Sequence, residues 1–171
     1  MAESAAPAPE SPAPARGTRL VDVVELIDAL LSPNGCPWDR EQTLDSLRPY
    51  LLEEACEVLE ALDQGDNSAH CEELGDVLFQ IVFHAALQER AGAFDIDDVC
   101  TRITEKMKRR HPHVFHDTTV KDSEEVVQNW GKIKEQERAA KGLSKRRLLD
   151  GVPAGLPALH RAQRLAFHQR D

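Results

Sequence analysis

The chain has 171 residues, 41% of them apolar and 30% charged, which are the length and composition of one globular domain with its own core. Its formal net charge of −9 argues against binding a nucleic-acid backbone, because such binding needs Lys and Arg side chains over the surface. The charge is compatible with a small phosphate ligand that brings its own metal ion. No secretory or membrane-spanning apolar run is present, so we expect neither export nor a membrane partner.

The cysteines also indicate a compartment. They form no Cys-x-x-Cys pair, which disfavours zinc and redox motifs. Free thiols in a reducing, cytoplasmic environment are the expected state of these four residues, Cys36, Cys56, Cys71 and Cys100.

The two ends of the chain differ in composition from its middle. Residues 1–17 are rich in Ala and Pro and lack apolar periodicity, which predicts a disordered tail. Residues 18–141 carry the periodic segments and form the predicted folded domain. Residues 142–171 are predicted to be a basic hinge followed by a C-terminal helical segment.

Apolar residues recur at helical spacing almost throughout, and no segment alternates as a β-strand would, so the predicted fold is all-α. Between the first two helices Trp38 is predicted to pack in the core, with stacking on a ligand base as the alternative. The predicted helices are, in chain order, Leu20–Leu31, about Arg48–Leu62, about Ser68–Arg90, Asp95–Arg110, Ser123–Ala140 and Leu156–Phe167.

The second helix carries Glu53, Glu54 and Glu57 on its polar side. Glu54 and Glu57 are three residues apart and therefore share a face. By itself this pattern fits an ordinary solvated acidic face as well as it fits a metal site.

The third helix favours the metal site. Glu73, Asp76, Gln80 and His84 share one narrow strip, while most other positions from 77 to 87 are apolar, so the helix is predicted to be buried on nearly every face. Buried carboxylates are unfavourable unless they are paired or bind a metal. A buried ion pair is the alternative, but no Lys or Arg lies on this strip. Mg²⁺ prefers oxygen ligands and is usually bound together with substrate phosphates, so it is the predicted ion.

Two pairs of residues that contain a cation follow at helical spacing. Lys106 and Arg110 lie four residues apart, either to bind a ligand or to complement the C-terminus of their helix. Trp130 and Lys134 are also four apart, so an aromatic surface and a cation can address the same ligand. The His-Pro-His segment at 111–113 is predicted to be a structural loop rather than a metal site, since no nearby Cys completes a zinc set.

Several blocks, in this order along the chain, resemble the amino-terminal domain of the MazG family of nucleoside triphosphate pyrophosphohydrolases. They lie at residues 36–39 (CPWD), 53–57 (EEACE), 73–80 (ELGDVLFQ) and 109–115 (RRHPHVF), followed by Trp130 with Lys134. The resemblance covers roughly residues 20–141. It implies a MazG-like, all-α helical bundle that is completed by dimerisation, in a homodimer or higher homo-oligomer. It also implies hydrolysis of a nucleoside triphosphate to the monophosphate and pyrophosphate.

Residue roles follow from the same resemblance, position by position. The implied Mg²⁺ ligands, with Mn²⁺ as a possible substitute, are Glu54, Glu57, Glu73 and Asp76. Glu53 completes the catalytic set, with a role left open between activating water and supporting a ligand. The implied nucleotide contacts are Lys106, Arg110, Trp130 and Lys134.

Two other interpretations compete with this one. A di-iron bundle pairs its carboxylates as Glu-x-x-His, whereas here the third position after Glu54 and Glu73 holds Glu57 and Asp76. A non-catalytic helical module that binds a nucleotide or a partner protein is the alternative from another class. Many family members carry a second, similar domain, but the acidic motif is not repeated here, so we expect a single-domain member or a shortened chain.

Overall fold

The computed structural model describes residues 19–143, 152–153 and 155–168, so the predicted N-terminal tail and most of the predicted basic hinge lie outside the described residues. The described part is helical and contains no strand, which confirms the predicted all-α class. Its helices are α1 (Leu20–Leu31), α2 (Pro37–Arg40), α3 (Leu44–Gln64), α4 (Asn67–Arg90), α5 (Ile96–Arg110), α6 (Pro112–Phe115), α7 (Ser123–Ala140) and α8 (Ala158–His168). None of the described helices could cross a lipid bilayer.

Helices α3 and α4 form a tight antiparallel hairpin because their ends are capped locally. Thr43 and Ser46 make a reciprocal capping box that starts α3 four residues earlier than the sequence predicts. Gly65 ends α3 with φ of 70°, a left-handed conformation that glycine adopts without steric cost. Asp66 then accepts hydrogen bonds from the backbone N–H groups of Ser68 and Ala69 and so starts α4.

The described residues divide into two compact units, the first ending at Arg102 and the second beginning at Ile103. In the first unit a small core joins α1, α3 and α4. It is formed by Ile27, Leu31, Leu47, Val82, Phe83 and Ala86. Arg90 ties the end of α4 to the end of α1, since its guanidinium donates a 2.7 Å hydrogen bond to the carbonyl oxygen of Leu31. This core holds the α3–α4 hairpin, which carries the acidic motif.

The prediction that Trp38 packs in the core is wrong. Trp38 is 53% exposed, and its ring lies edge-on to that of Tyr50 with centroids 6.0 Å apart. The reason is that α2 is a single helical turn that begins at Pro37, and the residue it buries is Asp39 instead of Trp38.

The prediction that α4 is buried on nearly every face is also wrong for the chain by itself. Its core side is buried, but the apolar side chains Leu74, Leu78 and Ile81 are exposed. On α3 the side chains of Leu59 and Leu62 are exposed as well. The α3–α4 hairpin therefore has α1 against one side and an uncovered apolar surface elsewhere, which we call the hairpin apolar surface (Leu59, Leu62, Leu74, Leu78 and Ile81).

In the second unit, α7 is joined to the end of α5 by ion pairs. Arg109 and Arg110 of α5 both bind the carboxylate of Glu137 on α7. His111 stacks edge-on against Trp130 at 4.9 Å between ring centroids. The His-Pro-His segment, predicted to be a loop, is a short helix begun by Pro112, and His111 contacts the carbonyl oxygen of Met107 through Nδ1 at 2.7 Å.

Candidate active site

The α3–α4 hairpin brings together three of the predicted carboxylates. Glu54 and Glu57 come from α3 and Glu73 from α4, and one carboxylate oxygen of each lies within 4.8 Å of the others. The register of the hairpin produces this cluster, since Gly65 and Asp66 reverse the chain and place the first third of α4 beside the middle of α3.

Burial and mutual repulsion both favour the protonated form of carboxylates in this cluster. Partial burial, followed by the charges of Asp76 and Glu57, raises the pKa of Glu54 above its ordinary value. Partial burial, followed by the charges of Glu57 and Asp76, likewise raises the pKa of Glu73. Like charges at this separation favour the neutral acid unless a cation compensates them. The cluster is therefore poised for a positive ligand.

The donor set fits Mg²⁺ on chemical grounds. All three side chains offer hard oxygen atoms, they are carried by two long helices, and no Lys or Arg compensates their charge in any described ion pair. Asp76 stands outside the group of three, but its charge acts on both Glu54 and Glu73. Glu53 is exposed and does not join the cluster.

The acidic surroundings are wider than the motif. Glu60 and Glu72 also act electrostatically on Glu73, and sequence reasoning did not include them in the site. A signal for Glu60 was available, because it follows Glu57 at the spacing that places two residues on one helix face.

Beyond the carboxylates, the polar strip of α4 continues into the interior. Gln80 is only 7% exposed, and its Oε1 has no described hydrogen-bond partner. His84 is half-buried, its Nε2 likewise has no described partner, and burial lowers its pKa, which favours the neutral ring.

The predicted nucleotide contacts lie in the second unit. Lys134 sits over the face of Trp130, with Nζ 5.3 Å from the ring centroid, a cation–π geometry. The Nε1–H of Trp130 is buried and has no described acceptor. Lys106 is half-buried one turn before Arg110 on α5. The spacing arguments for both pairs are therefore consistent with the helices observed.

The second unit also contains residues that sequence reasoning missed. Glu137 holds Arg109 and Arg110, and its hydrogen bond from Arg110 lowers its pKa to about 2 despite partial burial, with Arg109 adding to the effect. A weak signal existed, because Glu137 follows Lys134 by three residues and Trp130 by seven, which places all three on one side of α7.

Comparisons with known proteins agree with these features. Residues 42–115 match the MazG nucleotide pyrophosphohydrolase domain family. The uncharacterized protein YabN of Bacillus subtilis is 51% identical over 140 residues, which are 82% of this chain and 28% of that protein. The nucleoside triphosphate pyrophosphohydrolase of Escherichia coli is 48% identical over 132 residues, which are 77% of this chain and 49% of that protein.

A solved structure gives the same result for the fold. The crystal structure of a mazG-related protein from Thermotoga maritima matches with a TM-score of 0.57 at 28% identity, and the match covers 66% of this chain and 96% of that one. The present chain spans about half the length of the E. coli relative and less of YabN. Residues 42–115 of this chain are therefore a MazG nucleotide pyrophosphohydrolase domain.

Proposed function

We propose that the protein hydrolyses nucleoside triphosphates to the nucleoside monophosphate and pyrophosphate in a Mg²⁺-dependent reaction. The observation that carries this proposal is the cluster of Glu54, Glu57 and Glu73, whose oxygens converge within 4.8 Å and which takes part in no ion pair among the described residues. The E. coli relative at 48% identity is named a nucleoside triphosphate pyrophosphohydrolase, which supports the same reaction here.

The residues of the hairpin supply the metal-binding part of this chemistry. Glu54, Glu57, Glu73 and Asp76 would hold Mg²⁺, with Mn²⁺ as a substitute. When bound, such an ion polarises phosphate oxygens and lowers the pKa of a coordinated water. Glu53 is exposed beside this set, where it would accept a proton from water or orient a neighbouring carboxylate.

The basic and aromatic residues supply the nucleotide-binding part. Lys106, Arg110 and Lys134 would neutralise phosphate charge that the metal leaves uncovered. Trp130 would offer an apolar surface whose cation–π partner, Lys134, is already in place. These assignments are supported by the resemblance and by the location of the residues on α5 and α7.

A homodimer or higher homo-oligomer is part of the proposal. The hairpin apolar surface exposes five large aliphatic side chains on the two helices that carry the carboxylates. Several exposed apolar side chains on one pair of helices often mark an association surface. A cytoplasmic location is also proposed, since the four cysteines are free, as expected in a reducing compartment.

The proposed function is tested by product analysis. A panel of standard and damaged nucleoside triphosphates is incubated with Mg²⁺, and monophosphate and pyrophosphate are quantified. Glu57→Gln and Asp76→Asn should lower turnover by at least about 100-fold while circular dichroism stays unchanged, because each removes a negative donor at nearly constant volume. Glu25→Gln, on the exposed side of α1, is the matched control and should retain wild-type turnover.

The same assay separates the rival functions. Release of orthophosphate with a nucleoside diphosphate identifies a different phosphohydrolase. Absence of any product, together with measurable nucleotide binding, supports the non-catalytic module. Retention of near wild-type turnover by Glu57→Gln at saturating Mg²⁺ refutes the assignment of metal ligands.

A further inference from the structure

Glu137 organises two adjacent arginines through different hydrogen bonds. Its Oε2 accepts from Arg110, at 2.7 Å from Nη2 and 3.3 Å from Nε, and its Oε1 accepts from Nε of Arg109 at 2.8 Å. The side chain of Glu137 is only 17% exposed, and that of Arg110 is 21% exposed. The triad formed by Glu137, Arg109 and Arg110 is therefore partly shielded from solvent and carries a net charge of +1.

The geometry leaves one edge of Arg110 available. Glu137 occupies the side edge formed by Nε and Nη2, and no other described acceptor contacts this guanidinium. The end edge, formed by Nη1 and the second hydrogen of Nη2, remains able to donate two parallel hydrogen bonds. That is the fork geometry that arginine uses to bind phosphate.

Without Glu137 the two guanidiniums would not be held in this way. Arg109 and Arg110 are consecutive like charges, and each carries about 2 kcal/mol of rotamer entropy. An anion that binds to a mobile arginine has to order it, whereas an arginine already fixed by a carboxylate is preorganised. An ordinary structural ion pair between α5 and α7 needs only one arginine, but here a single carboxylate bonds Nε of both.

The surroundings of the triad favour binding over simple helix attachment. His111, which follows Arg110 in sequence, contacts the Met107 carbonyl oxygen through Nδ1 and therefore carries its proton on that nitrogen. Its ring lies edge-on to Trp130, and Lys134 lies over the same indole. Arg110 is thus followed directly by a residue of the cationic and aromatic cluster that the nucleotide is proposed to contact.

We infer that Glu137 is a positioning residue for the triphosphate: it holds Arg110 by the side edge so that the end edge is presented to a phosphate group. The inference rests on the proposed function, because Arg110 is taken as a phosphate contact. Glu137 itself does not touch the substrate. It acts on affinity through the arginine, and its effect disappears when Arg110 is absent.

The test is a double-mutant cycle on Glu137 and Arg110. The variants Glu137→Gln, Arg110→Ala and the double variant are compared with wild type for KM, for kcat and for calorimetric affinity towards α,β-methylene ATP with Mg²⁺. Glu137→Gln should raise KM and the dissociation constant about tenfold and change kcat by less than about threefold. The double variant should bind no more weakly than Arg110→Ala alone.

Two controls separate positioning from stability. Glu135→Gln, exposed on the same helix, should match wild type in affinity and in thermal midpoint. Glu137→Asp keeps the charge but withdraws the carboxylate by one carbon–carbon bond, so its affinity should fall between those of wild type and Glu137→Gln. If Glu137→Gln folds poorly, Glu137→Asp still tests the inference, because its affinity should remain below that of wild type. All affinities are measured well below the lowest thermal midpoint of the series.

Each outcome decides the inference. The inference is overturned if Glu137→Gln binds the analogue with wild-type affinity, or if the affinity losses of the two single variants add fully in the double variant. It is also overturned if Glu137→Gln binds more tightly, which would mean that Glu137 competes with phosphate for the arginine. Failure of the wild type to release pyrophosphate refutes the proposed function instead. In that case the binding cycle with the analogue still tests the coupling of Glu137 and Arg110.

Discussion

Removing one carboxylate from the cluster should stabilise the metal-free protein while impairing metal binding. The perturbation is Glu54→Gln. Oxygen atoms of Glu54, Glu57 and Glu73 lie within 4.8 Å of one another, and two unit charges at that distance repel by about 0.9 kcal/mol at the dielectric constant of water. Glu54 takes part in two such pairs, and screening at physiological ionic strength roughly halves the sum. We therefore expect a gain of about 0.9 kcal/mol.

The sign of the pH dependence is fixed by the same repulsion. The folded-state pKa of Glu54 is raised above its ordinary 4.5, so the folded protein binds more protons than the unfolded one near that pH. The unfavourable contribution of Glu54 is therefore absent below pH 4.5 and develops as pH rises through the raised pKa. The advantage of Glu54→Gln should grow over the same interval.

The assay is thermal and urea unfolding at fixed protein concentration, in EDTA and in Mg²⁺. In EDTA at pH 7.5, Glu54→Gln should raise Tm by about 2–4 °C, given the unfolding entropy of a chain of this size. Mg²⁺ at 100 times its Kd should stabilise the wild type by about 2.7 kcal/mol and the variant far less. Glu25→Gln, on the exposed side of α1, should behave as wild type.

The reasoning is refuted if Glu54→Gln is less stable than wild type in EDTA, or if Mg²⁺ stabilises both equally. The first result would mean that the three carboxylates do not repel as their separation requires. The second would mean that the cluster is not where Mg²⁺ binds, and the proposed metal ligands would have to be abandoned.

Three other perturbations address the core, the ion pairs and the hairpin apolar surface. Phe83→Ala, at a fully buried position, should cost about 3–5 kcal/mol in urea unfolding, whereas Val127→Ala, at an exposed position, should stay within about 0.5 kcal/mol. Glu137 has a folded-state pKa of about 2, so above pH 4.5 its ion pairs stabilise the folded protein by about 1–2 kcal/mol after solvent screening. This stabilisation should be lost as pH falls towards 2, and acid unfolding of Glu137→Gln should not show that loss. Leu59→Glu with Leu62→Glu should shift sedimentation to the monomer; unchanged sedimentation of a wild-type oligomer would contradict this surface as its interface.

Much of the local structure follows from the sequence because helix geometry is a short-range property. The periodic apolar positions placed the helices close to their observed bounds. The errors were at the ends of elements, where a capping box such as that of Thr43 and Ser46 decides the boundary. Trp38 was misplaced because a single-turn helix gives too little periodicity to identify its inner side.

The spacing of the acidic motif established by itself that Glu54 shares a face with Glu57, since residues three apart on a helix are neighbours whatever surrounds them. Only the tertiary structure decided that Glu73 completes the cluster within 4.8 Å, because contacts between helices depend on the turn and register of the hairpin. The same holds for the bond between Glu137 and Arg110, which joins residues 27 positions apart. Packing between helices likewise decided which apolar residues are buried in the core and which remain on the surface. Leu74 shows this, because it is exposed although it lies on a helix rich in apolar residues.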